Sequence, residues 1–383
     1  PEMWIRYPRL DALSKFVSPE IMQSRGEVVL KVAEAFDAAS TNASARLDYL
    51  EYKRAVEGLI SKLAEQPAAA LYLGDSGGSH GAMVQHAGNT AFLSILIGLK
   101  IGFYLERERE KLSAVNARDV TSLGVGAMLH DIGCTQLDNR VRETFRATGD
   151  ESDMGWRQHV KLGHELVKGQ IEPSAAACVL HHHQQFDGLG FPGKNEAAGE
   201  DDPLEGREIH VFARIVAAAE LYDRLRNGPA PAVLGLEANA GMPGVRALSL
   251  MQQSPLADRL DPIVYLGLVQ AAPPYAPGDR VTLSNGERGV VVSWSLDDPC
   301  RPRVALIDAD DPEGATEVDP DASLSPDAEI DAEVIDLTLH PDLEVSEVGG
   351  EGVQEYNFYA GKRSLYGLGL IEKAMSEMPR AAA

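Results

Sequence analysis

The sequence predicts a mainly α-helical protein with a small β-rich region towards its C-terminal end. Two observations carry that expectation. Apolar residues recur at helical spacing through most of the first 270 positions. Near Ala271 the texture changes to short alternating runs, punctuated by Pro273-Pro274, Pro277-Gly278 and Asn285-Gly286. A third observation concerns chemistry: several apolar helical runs end in histidines or acids.

Residues 1–75 read as a helical N-terminal region without chemistry of its own. Ser18-Pro19-Glu20 is a helix start, with proline in the first turn and an acid behind it. Gly26 is expected to interrupt. Helical runs then cover about Glu27 through Ala39 and Ala45 through Ala64, and Gln66-Pro67 ends the second. Gly74 to Ser79 is a loop by composition. A long helix is expected from Gly81 to about Lys111, with His86 in its first turns. Asp119 or Thr121 can cap the next helix. That helix carries the apolar run Val125 to Leu129 and ends at His130-Asp131, with Gly133 placed to close it.

Gln136 to Asp153 reads as a polar loop with room for one short helix. His159 to Val167 is helical by period. Gly163 inside it costs roughly 1 kcal/mol against alanine, so a packing reason is expected there. His159 and His164 are five apart, so only one of them points at a given site. Ala175 to Leu180 is a buried helix that runs into His181-His182-His183. An ordered turn follows through Asp187-Gly188, Gly190 and Pro192-Gly193. Lys194 to Gly206 reads as an exposed acidic insertion. Arg207 through Leu225 is helical again, with Glu220 among alanines.

Beyond Ala271, Asp279–Leu283 and Arg288–Trp294 form a hairpin about Asn285-Gly286. Arg303–Ile307 and Glu333–Leu337 add strands to a small antiparallel sheet or barrel. The acids from Asp308 to Glu333 lack the spacing and central glycine of a calcium-binding loop, and read as a solvated face. Leu365 to Ala383 has the pattern of a final helix. The expected organisation is 1–75 helical, 76–270 the histidine-bearing domain, 271–345 the small β domain and 346–383 a tail.

Composition narrows the function. The 383 residues include 35 Lys and Arg against 58 Asp and Glu, a net charge of −23. Such a surface argues against duplex nucleic acid as a partner. It permits an anionic nucleotide ligand where bound metal supplies local positive charge. Cys134, Cys178 and Cys300 are too few and too scattered for a disulfide framework, which suits a reducing cytoplasm. The most apolar stretch, Ala91 to Leu105, is broken by Lys100 and falls short of the ~20 residues of a membrane span, so a core helix is expected and no membrane association.

Of ten histidines, most lie between His130 and His210. Imidazole beside carboxylate is a donor set for iron, manganese, zinc or nickel. Two such hydrophilic groups at the end of an apolar helix are costly unless something binds them.

The pattern resembles the HD-GYP family, a bacterial branch of the HD-domain metal-dependent phosphohydrolases. The resemblance covers roughly residues 76–230. It rests on His130-Asp131-Ile132-Gly133 for HDIG and on His86 in Gln85-His86-Ala87-Gly88-Asn89. It rests also on His159 four residues before Gly163, and on His182-His183-Gln184-Gln185-Phe186-Asp187-Gly188-Leu189-Gly190-Phe191-Pro192 for HHExxDGxGYP. Glu220 ends an Ala213-Arg214-Ile215 run where the family has an aspartate. The resemblance implies an HD-domain helical bundle and two divalent metals, iron or manganese. One metal would take His86, His130, Asp131 and Glu220. The other would take His159, His182 and His183, with Asp131 bridging. Ala82 stands where some members place a third-metal glutamate.

The implied activity is hydrolysis of cyclic di-GMP or a related cyclic dinucleotide by a hydroxide activated between two metals, with His130 and Asp131 catalytic. The alternative is a degenerate signalling module that binds metal and nucleotide, or a protein partner through the Gly-Phe-Pro turn or the C-terminal domain, with little or no catalysis. Departures from the family pattern favour this alternative. Cys134 replaces the lysine after HDIG, Arg226-Asn227-Gly228-Pro229-Ala230-Pro231 stands where the family has an RPYR-like run, Gln184 replaces glutamate and Phe191 replaces tyrosine. Lys161, Asp187, Arg214 and Arg224 are the candidate substrate-binding residues.

Overall fold

The computed structural model describes residues 18–42, 44–66, 81–193, 204–295, 298–307 and 333–358, and the backbone alone of 5–6 and 316–317. The loop expected at Gly74 to Ser79 and the tail helix from Leu365 lie outside the described residues. So do the acidic insertion through position 203 and the acidic stretch through position 332.

β1 (Ile5–Arg6) precedes the helices. α1 (Pro19–Thr41) opens where expected, with Ser18 Oγ accepting from the Ile21 amide. It runs straight through Gly26, so the expected interruption is absent. The glycine costs little because a continuous buried stripe, Val28, Val32, Ala35 and Phe36, holds the helix on the core. α2 (Tyr49–Glu65) lies against α1 and shares the main core through Val56 and Leu59. α3 (Ala82–Lys100) is buried along most of its length. It is long and apolar enough to cross a membrane by composition, yet here it is the central core helix.

The long helix expected to reach Lys111 breaks at Ile101, and α4 (Gly102–Glu108) follows. The break turns Tyr104 inward, where its hydroxyl donates to Asp261 at 2.7 Å. α5 (Ala114–Arg118) leads to α6 (Thr121–Leu129), with Asp119 Oδ1 accepting the Thr121 amide at 2.8 Å. α7 (Asn139–Thr148), α8 (Gln158–Val167) and α9 (Pro173–His181) bring the histidine-bearing segments round. α10 (Val211–Asn227) starts four residues after the expected Arg207, capped by His210. α11 (Gly244–Met251) and α12 (Pro262–Ala271) complete the bundle. One continuous apolar core joins α1, α2, α3, α6, α9, α10, α11 and α12.

β2 (Arg280–Leu283) and β3 (Arg288–Ser293) form the expected hairpin, and Gly286 takes a positive φ of 90° in its turn. β4 (Arg303–Leu306), β6 (Val334–Asp336), β7 (Val345–Val348) and β8 (Glu351–Gly352) extend it into an open antiparallel sheet of order β6-β4-β3-β2-β7-β8. The two-residue β5 (Thr316–Glu317) pairs with β1 instead. The sheet buries Val281, Val291, Val304 and Val345 on one core with Tyr275 and with Val245 from α11. It thereby continues past position 345, where the sequence pattern placed the start of a tail.

Candidate metal centre

Two glycines bring the donors together. After α6 the chain tightens into a 3-10 turn, Ile132–Gln136, rather than closing at Gly133 in a left-handed conformation. A Cβ at Gly133 would stand 1.9 Å from the His159 carbonyl oxygen and 2.4 Å from the Gly163 amide nitrogen. A Cβ at Gly163 would in turn crowd Val179 at 3.0 Å and Gly133 nitrogen at 3.1 Å. The pair lets the turn after His130-Asp131 lie directly on α8, and so places Asp131 beside His159. That is the packing reason expected at Gly163.

Donor atoms converge in two groups that share Asp131. One is Asp131, His159, His182 and His183; the other is His86, His130 and Asp131. Asp131 Oδ1 lies 3.5 Å from His159 Nε2 and 3.6 Å from His182 Nε2. Its Oδ2 lies 3.6 Å from His130 Nε2 and 4.0 Å from His86 Nε2. The rings are held from behind. Nδ1 of His130 donates to the Ala127 carbonyl and Nδ1 of His159 to the Trp156 carbonyl, each at 2.7 Å. Nδ1 of His182 points at the Cys178 and Val179 carbonyls. With the proton on Nδ1, each Nε2 presents a lone pair.

His159 Nε2 and His182 Nε2 face each other at 3.2 Å with Asp131 Oδ1 beside both. Lone pairs at that distance repel unless a cation lies among them. Protonation is a poor substitute: burial pushes His130 down to about 3 and His159 to about 4, and holds His183 well below its ordinary range. His130 Nε2, Asp131 Oδ1 and His183 Nε2 are buried without hydrogen-bond partners. The residues present therefore fit divalent metal: neutral imidazole and carboxylate donors, orphaned and converging.

Glu220 is buried next to these groups but stands slightly apart. One oxygen lies 3.7 Å from His183 Nδ1 and the other 3.3 Å from Arg224 Nη1. Asp223, which the sequence pattern did not single out, accepts from His86 Nδ1 at 2.7 Å and from Asn89 at 3.0 Å. It raises the His86 pKa against the opposing effect of burial and fixes which nitrogen faces Asp131. The signal available in the sequence was its place three residues after Glu220, on the same helix face.

A cavity of 480 Å³ opens beside the donors. His86, Asp131, Cys134, Glu220 and Arg224 line it, with Phe145 and Trp156 as an aromatic wall and Arg142 and Arg146 from α7. Phe145 and Trp156 stack at 3.5 Å between centroids, and Trp156 lies against His159 at 4.4 Å. Burial, reinforced by Asp131, raises the Cys134 thiol well above its usual range, so it stays neutral where a lysine was expected.

Of the four candidate substrate-binding residues, the structure brings only Arg224 to the cavity. Arg214 is a correction: its guanidinium is consumed by Asp261, Glu108 and Tyr104 in a buried network that ties α10 to α4 and α12. Asp187 is a second correction, because it sits on the exposed tip of its turn with Oδ1 accepting the Leu189 amide. Lys161 is a third; it lies two residues from His159 along α8 and does not line the cavity. His164 and His181 also stay outside the donor groups. Phe191 stacks on His183 at 4.8 Å, and Gln184 donates to the Pro192 carbonyl, so the substituted turn remains folded onto the donors.

Residues 105–264, the segment that carries His130, Asp131, His159, His182, His183 and Glu220, match the HD domain family. That match supports the resemblance to the HD-GYP family. It is similar to the cyclic di-GMP phosphodiesterase response regulator RpfG of Xanthomonas campestris, 30% identical over 29% of this chain and 28% of the relative. It is similar also to the cyclic di-GMP phosphodiesterase PA4108 of Pseudomonas aeruginosa, 26% identical over 49% of this chain and 42% of the relative. The chain thus spans less than half the length of either. A solved HDG"Y"P protein of Bdellovibrio bacteriovorus aligns over 68% of this chain and 76% of its own, with 15% identity and a TM-score of 0.45.

Proposed function

We propose that the chain is a metal-dependent phosphodiesterase acting on cyclic di-GMP or a related cyclic dinucleotide in bacterial signalling. The observation that carries this reading is the facing pair His159 Nε2 and His182 Nε2 at 3.2 Å beside Asp131. Such a site is built for cations, and it opens on a cavity lined by arginines and aromatic rings. The names of the curated relatives supply the substrate class. Two divalent cations, iron or manganese, suit the mixed imidazole and carboxylate donors. His159, His182 and His183 would hold one and His86, His130 and Glu220 the other, with Asp131 common to both.

When bound, such cations activate water and neutralise charge developing at phosphorus. The chain's own residues do the rest. Asp223 orients His86, the carbonyls of Ala127 and Trp156 orient His130 and His159, and Asp131 joins the two halves. Phe145 and Trp156 supply the aromatic wall of the cavity. The free, buried cysteines suit the cytoplasm.

A second reading, a metal-bearing module with little catalysis, is favoured by Cys134, whose neutral thiol occupies the position of a phosphate-binding lysine. One experiment separates them. The metal-loaded chain is incubated with cyclic di-GMP and with cyclic GMP-AMP, and products are resolved by chromatography beside His130→Ala, Asp131→Ala. Turnover that falls at least about 10³-fold in the double variant is expected, a loss equal to several kcal/mol. Full metal loading without turnover sinks the enzyme reading in favour of the second. Turnover that survives the double substitution sinks the site.

A further inference from the structure

We propose that Arg142 and Arg146 of α7, with buried Arg224 of α10, replace the cations missing from positions 134 and 227–231, and that they select a ligand carrying two separate phosphates. The inference rests on the phosphodiesterase reading above and names how the same site would grip its substrate.

The wall where cations were expected is neutral. Cys134, Asn227, Gly228 and Pro229 all line the cavity. The positive charge comes from elsewhere. Arg142 and Arg146 are four apart and therefore share a face of α7, about one turn from each other. Phe145, between them in sequence, turns in against Trp156. Glu143 shares that rim and is exposed, as is Arg146, whereas Arg142 is half-buried and donates to Asn139. Arg142 is also close enough to act electrostatically on Cys134, next to Asp131.

Arg224 is of another kind. Its side chain is 3% exposed. Nε donates to the Pro229 carbonyl at 3.0 Å, Nη1 to Glu151 at 2.5 Å and to Glu220 at 3.3 Å, and the guanidinium lies 5.0 Å from the Phe145 centroid. Nη2 alone is left buried without a partner. A guanidinium clamped on three sides loses little freedom when its last edge meets an anion.

The cations thus form two stations. One is Arg224, beside Glu220 and the donor cluster. The other is the Arg142–Arg146 pair at the outer wall. A cyclic dinucleotide carries two phosphodiesters across one ring, and each station would take one. A cyclic mononucleotide has only one phosphate and cannot use both.

The test is calorimetric binding to the full metal-loaded chain, using the slowly hydrolysed bis-phosphorothioate of cyclic di-GMP and, as the single-phosphate probe, guanosine 3′,5′-cyclic monophosphate. Three proteins are compared: wild type, Arg142→Ala with Arg146→Ala, and Arg142→Lys with Arg146→Lys. The alanine pair is expected to weaken the dinucleotide about tenfold or more, since each lost bond joins charged groups. The lysine pair is expected to restore most of it, and the mononucleotide to be indifferent to all three. Unchanged dinucleotide affinity in the alanine pair, or an equal loss for the mononucleotide, overturns the proposal. Hydrolysis with unchanged KM in the alanine pair overturns it while leaving the phosphodiesterase reading intact. No binding of the dinucleotide by wild type overturns both.

Discussion

The donor cluster and the cavity beside it contrast sharply in how they are built. In the cluster every expected position holds a competent donor, and the rings are locked by backbone carbonyls and by Asp223. In the cavity the expected cations are gone, and arginines reach the space from α7 and α10 instead. Donors whose ligand atoms must lie within 4.8 Å of one another tolerate few backbone positions. A phosphate can be met by a long, flexible guanidinium from many. The first kind of site is fixed in sequence order, whereas the second can migrate.

The largest effect should separate the two regions by stability. Arg224→Met leaves buried Glu220 without its cation and takes one of two from half-buried Glu151, which keeps Arg259; breaking the buried pair costs roughly 3–5 kcal/mol. Urea unfolding should show that loss, while Arg142→Ala at the rim should stay within about 0.5 kcal/mol of wild type. Equal losses would mean that Arg224 is not the anchored member.

The next effect lies outside both regions and calibrates them. His210 caps α10 through Nδ1, which accepts the Phe212 amide, and burial lowers its pKa to about 4. Its folded pKa is below the unfolded value of about 6.5. The stabilisation is therefore complete above about pH 6.5 and is lost as pH falls towards 4, by about 3 kcal/mol at most. His210→Asn keeps a capping acceptor without the titration, so its stability should change less with pH over that window. Identical pH profiles would contradict the cap.

Smallest is the loss at the cluster's support. Asp223→Asn should weaken metal binding about 10- to 100-fold, as for other residues that orient a ligating histidine. Metal titration of the stripped chain reads this directly. An unchanged affinity would show that Asp223 does not orient His86 for a metal.

The same contrast decides what could be read without a structure. HDIG and the doubled histidine were legible because ligand types in a fixed order along apolar helices have few uses apart from metal binding. Asp223 was not, since its partner His86 lies 137 residues away and an acid on a helix has many uses. Arg142 and Arg146 were hidden in a stretch with the composition of a polar loop, although arginines at i and i+4 around Phe145 carry the mark of a two-faced helix. Arg214 misled in the opposite direction: a cation near the motif was consumed by Asp261 and Glu108, acids brought by α4 and α12. In the fold, Gly26 and Ile101 show propensity losing to packing. The short strand β7 escaped because its partner β2 is some sixty residues earlier.

The central claim is that two groups of converging donors, sharing Asp131, exist to hold cations. Plasma mass spectrometry of the full chain, purified under reducing conditions with iron and manganese supplied, tests it most directly. The account predicts close to two ions per chain, and clear loss in Asp131→Ala. Wild-type protein that stays folded and carries no stoichiometric transition metal would contradict it.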